Sequence, residues 1–293
     1  MSAPRVSVVI PTFNRARLLF EAIDSVRAQT LADFELIVVD DGSEIDLASR
    51  VAARYRDDSR VRTIRQPNAG TAAARQTGLE AARAPYLALL DDDDRYLPDC
   101  LASQAAFLDE HPEVDLVVCN ARAETDTGVA IPSLFDLEGW SPPVSFASFA
   151  QLSWLWPSTM AMRTEQARQL GFSSEFRFAE DRHFLYRLLA VGKRVGANRE
   201  LLVVYRVHES TSDVPMKSRS RVQCASEQLE ISRRFARHMP RSRPVLGRDH
   251  KRLALALVEE GRWRDARPHL RGWWLNKPDS FRALRLLARS YLQ

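Results

Sequence analysis

The chain has 293 residues, 45% of them hydrophobic and 27% charged, which suits one large globular domain or one and a half and excludes a disordered chain. Its net charge of +4 is uneven: residues 216–293 carry 19 Lys and Arg against 7 Asp and Glu, and residues 1–215 carry 23 against 31. Three scattered cysteines, Cys100, Cys119 and Cys224, argue against a disulfide framework or zinc site and fit a reducing cytoplasm. No apolar run reaches the length of a spanning helix, and "VSVVI", followed at once by Pro11, Asn14, Arg15 and Arg17, does not have the form of a secretory leader.

Strand and helix signals alternate over the first hundred residues. "VSVVI" (6–10) is a β-branched run ended by Pro11, and "ARLLFEAIDSVRAQ" (16–29) places Leu18, Leu19, Ala22, Ile23 and Val26 on one helical face. "FELIVVD" (34–40) is a second buried-strand run stopped by "DGS", and "VRTIRQ" (61–66) is a weaker strand. A helix is expected over 70–84, a strand over "YLALL" (86–90), a helix over 97–111 with Pro98 in its first turn, and a strand over "DLVVCN" (115–120). Such alternation implies a mostly parallel sheet covered on both faces.

Residues 127–145 read as loop-rich, 178–192 as a helix and "ELLVVYRVH" (200–208) as a strand. After Pro215 the pattern is helical, over roughly 217–239, 245–260, 263–275 and 279–292, with Gly261 in a helix-turn-helix. The composition break places a boundary there: a catalytic part over 1–215 and a basic helical extension over 216–293.

Ligands of open α/β sheets bind beyond the carboxyl ends of the strands. Three signals fall at such ends: the "PTFN" turn (Pro11 to Asn14), Asp40 with Asp41, and the run Asp91 to Asp94. Four adjacent carboxylates repel by about 1 kcal/mol per pair at 4 Å in water and more where water is excluded. A divalent cation shared with the phosphates of a nucleotide would relieve that repulsion, and Mg2+ or Mn2+ commonly takes one or two carboxylates with phosphate and water. The competing reading is a solvated acidic turn that caps the next helix.

"VSVVIPTFNRARLLFEAIDSVRAQTLADFELIVVDDGS", "NAGTAAARQTGLEAA" and "YLALLDDDDRYLPDCL" resemble the family 2 glycosyltransferases, and "AEDRHFLYRL" and "YRVHESTS" extend the likeness to about residues 5–212. The resemblance implies an α/β GT-A fold, with a mostly parallel Rossmann-like sheet flanked by helices. It implies inverting transfer from a nucleotide-activated sugar. Pro11, Thr12 and Asn14 would then line the base and ribose, and Asp41 would accept a hydrogen bond from the base. Asn68 and Gly70 would shape the loop ahead of Arg75, which would approach the diphosphate. Gln76 stands where the family usually has Asn.

Aligned on "YLPD", Asp91-Asp92-Asp93 is the D-x-D motif. Asp93 would bind the metal, Asp92 or Asp91 would meet ribose or donor sugar, and His208 would be a further metal neighbour, against a purely structural role. Glu180-Asp181 matches the family's Glu-Asp pair: Asp181 would take the acceptor's proton and Glu180 would orient it. Taken alone, the pair reads as acidic residues placed against a helix dipole. "WLWPSTMAMR" (154–163) offers aromatics for an acceptor subsite or for core packing.

The expected partners are a nucleotide-sugar donor and a glycan or glycolipid acceptor, with Mn2+ or Mg2+ as cofactor and no nucleic acid. The tail has two readings: peripheral membrane contact through Trp273 and Trp274, or a helical cap with a solvated arginine face. Two other functions fit parts of the pattern. A nucleotidyltransferase would use a related sheet, but there is no glycine-rich phosphate loop near the start. A non-catalytic sugar-nucleotide-binding scaffold would have no use for Glu180-Asp181.

Overall fold

In the computed structural model, the structure describes residues 3–125, 127–131, 156–207, 218–239 and 242–291. The expected apolar runs become β1 (Val6–Thr12) and β2 (Phe34–Asp40), buried at every position. They pair in parallel from Val6 opposite Phe34 to Thr12 opposite Asp40. β3 (Val61–Arg65) adds outside β2, and β4 (Tyr86–Leu89) pairs with the other edge of β1, again in parallel. Helix α1 (Ala16–Arg27) buries Leu19, Ala22, Ile23 and Val26, the expected stripe.

Helix α3 (Thr71–Ala81) lies directly on β1: a Cβ at Gly78 would stand 2.3 Å from a methyl carbon of Val9, so only glycine permits this approach. Helix α2 (Leu47–Arg54) is not among the expected elements; Asp46 caps it by accepting from the Ser49 N–H at 2.9 Å.

Beyond β4 the sheet becomes mixed. The further elements are β5 (Arg95–Tyr96), α4 (Cys100–Glu110), β6 (Leu116–Thr125), β7 (Ala130–Ile131), β8 (Met160–Arg163), α5 (Thr164–Leu170), α6 (Glu180–Ala190) and β9 (Val195–Val207). The strand order is β3-β2-β1-β4-β8-β6-β9-β5, with β7 on β6. β8 runs antiparallel between β4 and β6, whereas β9 is parallel to β6 with a register shift around Asn120.

Two boundaries differ from expectation. Pro98 lies in the turn before α4 rather than in its first turn, and β9 starts at Val195 rather than near 200. Most of the loop-rich reading over 127–145, and Trp154 of the aromatic run, lie outside the described residues.

The chain folds into two compact units: residues 1–144, 154–175 and 187–209 make one, and residues 145–153, 176–186 and 210–293 the other. The first holds the sheet. The second holds the start of α6 with α7 (Ser218–Phe235), α8 (Ser242–Glu259), α9 (Trp263–Asn276) and α10 (Phe281–Ser290), and Gly261 makes the expected turn between α8 and α9. Leu229, Leu253, Leu257, Leu270 and Trp273 form the core of these helices. Trp273 is 4% exposed, so it cannot be the interfacial anchor that its basic neighbours suggested. None of the described helices is long and apolar enough to cross a membrane.

Candidate active site

β2, β1 and β4 are neighbours, so the three signals read from the sequence converge at their carboxyl ends. β1 and β4 part there for a local reason. The Leu90 N–H donates to the Val9 carbonyl at 3.1 Å, and the next ladder donor on β1 would be residue 11, which is proline. Without an N–H, Pro11 cannot carry the pairing onward.

The structure gives each aspartate of the run its own surroundings. Asp92 is buried, with one carboxylate oxygen accepting from Thr12 Oγ1 at 2.6 Å and the other from the Arg15 guanidinium at 3.2 Å. Asp94 is buried too, accepting from Ser158 Oγ at 2.5 Å and from the Arg206 N–H at 3.0 Å. Asp91 and Asp93 keep 26% and 17% of their side chains exposed, and pair with Arg75 at 2.8 Å and Arg15 at 2.5 Å. The run forms a turn, closed by the Asp94 N–H donating to the Asp91 carbonyl at 3.1 Å, and the turn sends Asp92 and Asp94 inward and Asp91 and Asp93 toward solvent. Of the two residues expected to meet ribose or sugar, Asp91 is the one that reaches solvent.

Crowding shows in the charge states. Burial, then the Asp93 charge, raises the Asp92 carboxyl to about 7, against the pull of Arg15 and Thr12. Asp94 is raised well above the ordinary range, by burial first and then by Asp93 and Asp91.

Asp40 and Asp41 serve the loops. Asp40 is fully buried and accepts from the N–H groups of Ser43 at 2.9 Å and Leu47 at 3.1 Å and from Arg65 at 3.0 Å, which fixes the turn into α2. Asp41 accepts from Gln66 Nε2 at 2.7 Å and from the N–H groups of Ala69 at 3.0 Å and Gly70 at 2.8 Å. A carboxylate has about four acceptor sites, so one remains beyond these three. Gly42, at φ 79°, sits so near the 66–70 loop that a Cβ would meet the Asn68 nitrogen at 2.7 Å. Asn14, also at positive φ, donates its N–H to Ser43 Oγ and accepts from the Glu44 N–H, tying the β1–α1 loop to the β2–α2 loop.

Asn68 is exposed on its loop, and Arg75, 3% exposed, carries the link from α3 to Asp91. Gln76 is used elsewhere: its Oε1 accepts from the Phe172 N–H at 2.9 Å. Trp156 stacks on Tyr205 with ring centroids 3.8 Å apart and planes within 9°.

Sequence reasoning missed Arg15, Ser158 and Arg206. Arg15 follows the "PTFN" turn and could have been marked as a cation beside the run. Ser158 and Arg206 gave no local signal.

In the second unit, Glu180 and Asp181 open α6 as expected, and Asp181 Oδ1 accepts from the Arg182 N–H at 2.6 Å. Arg182 reaches away to Asp249, with contacts of 2.7 and 3.1 Å, beside Ser232 and Tyr186. His183 is buried edge-on against Phe176 at 4.8 Å. His208 lies outside the described residues.

The donor set suits a hard divalent ion. Asp91 and Asp93 offer carboxylate oxygens two residues apart, both partly exposed. Among the described residues no three His, Cys, Asp or Glu side chains are grouped to hold a metal, so phosphate and water oxygens would have to complete a shell. Arg15 would have to yield its place on Asp93.

Residues 7–171 match the model of glycosyl transferase family 2. Over 224 residues, the chain is 30% identical to an uncharacterized glycosyltransferase, EpsJ, of Bacillus subtilis, covering 73% of this chain and 64% of that protein. It is likewise 30% identical to the putative glycosyltransferase EpsH of the same organism, over 72% of this chain and 63% of EpsH. The chain thus spans less than two thirds of either relative.

Among solved structures, S. aureus TarS 1–349 in complex with UDP-GlcNAc superposes with a TM-score of 0.72 at 20% identity, over 98% of this chain and 89% of that one. A mannosyltransferase, PcManGT, from Pyrobaculum calidifontis in complex with GDP-Man and Mn2+ gives 0.65 at 21% identity, over 99% and 80%. At those identities the likeness speaks for the fold, the GT-A arrangement of sheet and helices. With more than half of the chain matched by the family model, and with motifs ordered as described, the chain belongs to glycosyl transferase family 2.

Proposed function

We propose that the chain is an inverting, metal-dependent glycosyltransferase. It would move a sugar from a nucleoside diphosphate donor, a UDP-sugar in the first instance, to a hydroxyl of a glycan or glycolipid acceptor in polysaccharide or glycoconjugate synthesis. The observation that carries this reading is the sorting of the aspartate run. Asp92 and Asp94 face inward, while Asp91 and Asp93 face outward between two arginines, at the carboxyl ends of three adjacent strands. The nucleotide-sugar complexes of TarS and PcManGT, one of them with Mn2+, support the donor class and the metal by likeness of fold.

In this reading Pro11, Thr12 and Asn14 line the nucleoside, and Asp41 uses its remaining acceptor site on the base while its other bonds hold Asn68 and Gly70 in place. Arg75 is drawn toward the diphosphate and leaves Asp91 to hydroxyls of ribose or sugar. Asp93 and His208 would hold the ion, which would supply positive charge against the departing nucleoside diphosphate. Asp181 accepts the acceptor's proton as that oxygen attacks the anomeric carbon, and Glu180 orients it. The proposal keeps residues 1–215 as the catalytic part, 216–293 as a helical extension, and the cytoplasm as the location, in keeping with the cysteine usage.

Thermal shift against a panel of sugar nucleotides, with and without Mn2+, tests it. One nucleotide class should raise the melting temperature, and more so with the ion. No shift with any donor in either condition would sink the reading, and a shift without sugar transfer or donor hydrolysis would favour the scaffold.

A further inference from the structure

The charge excess of the C-terminal helices and the burial of Trp273 together direct attention to α10. Its sequence, Phe-Arg-Ala-Leu-Arg-Leu-Leu-Ala-Arg-Ser, has no acidic residue. Ala283 and Ser290 are buried, and Leu286 and Leu287 pack against the helical core. At 3.6 residues per turn these four mark the inward half of the helix.

The outward half carries two stripes side by side. One is apolar: Phe281 is 78% exposed, Leu284 47%, and Tyr291 just beyond the helix 69%, with Ala288 exposed between them. The other is basic: Arg282, Arg285 and Arg289, all exposed, at the i, i+3, i+7 spacing of one helical face. Arg289 lies over the Trp263 ring at 5.2 Å and Tyr291 lies under the Arg267 guanidinium at 4.7 Å, but such packing does not account for the exposure of Phe281, Leu284, Arg282 and Arg285. Ser280 caps the helix by accepting from the Ala283 N–H at 3.3 Å, so the element is closed at its start without help from a partner.

We infer that α10 lies on an anionic lipid surface, with Phe281, Leu284 and Ala288 at the acyl boundary and Arg282, Arg285 and Arg289 among the headgroups. Charge decides the occupant. An apolar stripe alone would suit many partners, but three arginines beside it on an element without a single carboxylate select a negatively charged surface. The wider segment agrees, with 19 basic against 7 acidic residues over 216–293. A plane suits the arrangement because both stripes occupy one solvent-facing half of a helix about 15 Å long, and a helix lying in the interface meets acyl chains and headgroups along its whole length. This inference does not depend on the proposed catalysis.

The test is vesicle flotation of the full chain with phosphatidylglycerol–phosphatidylcholine and with pure phosphatidylcholine vesicles, at low and high salt. The wild type should float with the anionic vesicles at low salt, much less at high salt, and not with the neutral ones. Replacing all three arginines by Gln (R282Q, R285Q, R289Q) should weaken binding by roughly fivefold per charge, and replacing them by Lys should retain it. The pair Phe281→Ser and Leu284→Ser should weaken it at least tenfold with the melting curve unchanged, since both positions are exposed.

Absence of anionic binding at low salt overturns the inference. So does equal binding by the Gln and Lys triples. A concentration-dependent dimer in sedimentation, lost in the Phe281→Ser, Leu284→Ser pair, would overturn it in favour of a second copy of this chain as the occupant.

Discussion

Glu35 at the amino end of the parallel sheet and the aspartate run at its carboxyl end treat buried carboxylates in opposite ways. At the amino end Glu35, 2% exposed, accepts from Ser7 Oγ and the Arg83 N–H at 2.7 Å each, from Arg62 at 2.8 Å and from the Arg83 side chain at 3.0 Å. Burial pushes its carboxyl up, but the hydrogen bonds from Ser7, Arg83 and Arg62 outweigh that and hold it below its ordinary value. At the carboxyl end Asp92 and Asp94 are as deeply buried, yet burial and their neighbours' charges win, and both are raised. A carboxylate that serves folding is over-provided with donors. One crowded by other carboxylates stores repulsion that a bound cation can relieve.

If that division is right, carboxylates used for chemistry can be neutralised with little loss of folding, and the reverse holds at the amino end. The largest effect should come from Asp181→Asn, which keeps size and removes basicity. Transfer should fall by about two to four orders of magnitude while donor affinity by calorimetry survives. A near wild-type rate would move the base to Glu180. Next, Asp93→Ala should erase the Mn2+-dependent gain in nucleotide affinity and leave the melting temperature unchanged or higher, since a like charge is gone. An intact metal increment would show that the ion is held elsewhere.

Glu35→Gln should do the converse. We expect a loss of about 1–3 kcal/mol in urea unfolding, because buried donors lose a charged acceptor, with donor affinity untouched. The smallest effect is in pH dependence. Glu35, held below its ordinary value of 4.5, contributes stability above that pH that is lost as pH falls. Asp92 has the opposite sign: its contribution is present below its ordinary 3.8 and lost as pH rises toward about 7. Asp92→Asn should therefore flatten the metal-free stability profile between roughly pH 4 and 7, and Glu35→Gln should flatten the acid limb. Identical profiles for both variants would dissolve the contrast between the two ends.

Strands β1, β2 and β4 were legible because continuous apolar runs of that length have few alternatives to a strand covered on both faces. That ligands would sit at their carboxyl ends followed from the rule for open sheets, but the adjacency that gathers "PTFN", "DDGS" and the aspartate run rests on pairing between distant segments. The orientation of each aspartate was not legible. It depends on Thr12, Ser158 and Arg206, which lie between 64 and 112 residues away along the chain from the carboxylates they bind. The antiparallel entry of β8 between β4 and β6 was hidden for the same reason, since register with distant strands leaves no local trace. Trp273 and Trp274 left two readings open because paired tryptophans among arginines look alike on a membrane surface and in a small helical core. Which it is depends on what Leu253, Leu257 and Leu270 leave uncovered.

The pairing of Arg182 with Asp249 bears on where this chain could be cut. Asp249 has no exposed surface, and it takes two bonds from Arg182 and a third from Ser232 at 2.7 Å. Removing one partner of such a buried pair typically costs about 3–5 kcal/mol. The residue next to Asp181 is thus bolted to α8 rather than to the sheet. A gene truncated at residue 215 would encode every matched motif and still lack the fastening beside its proposed base. The helices after residue 217 are therefore not a separable module, and shuffling them between relatives would have to carry Arg182, Ser232 and Asp249 as one heritable set.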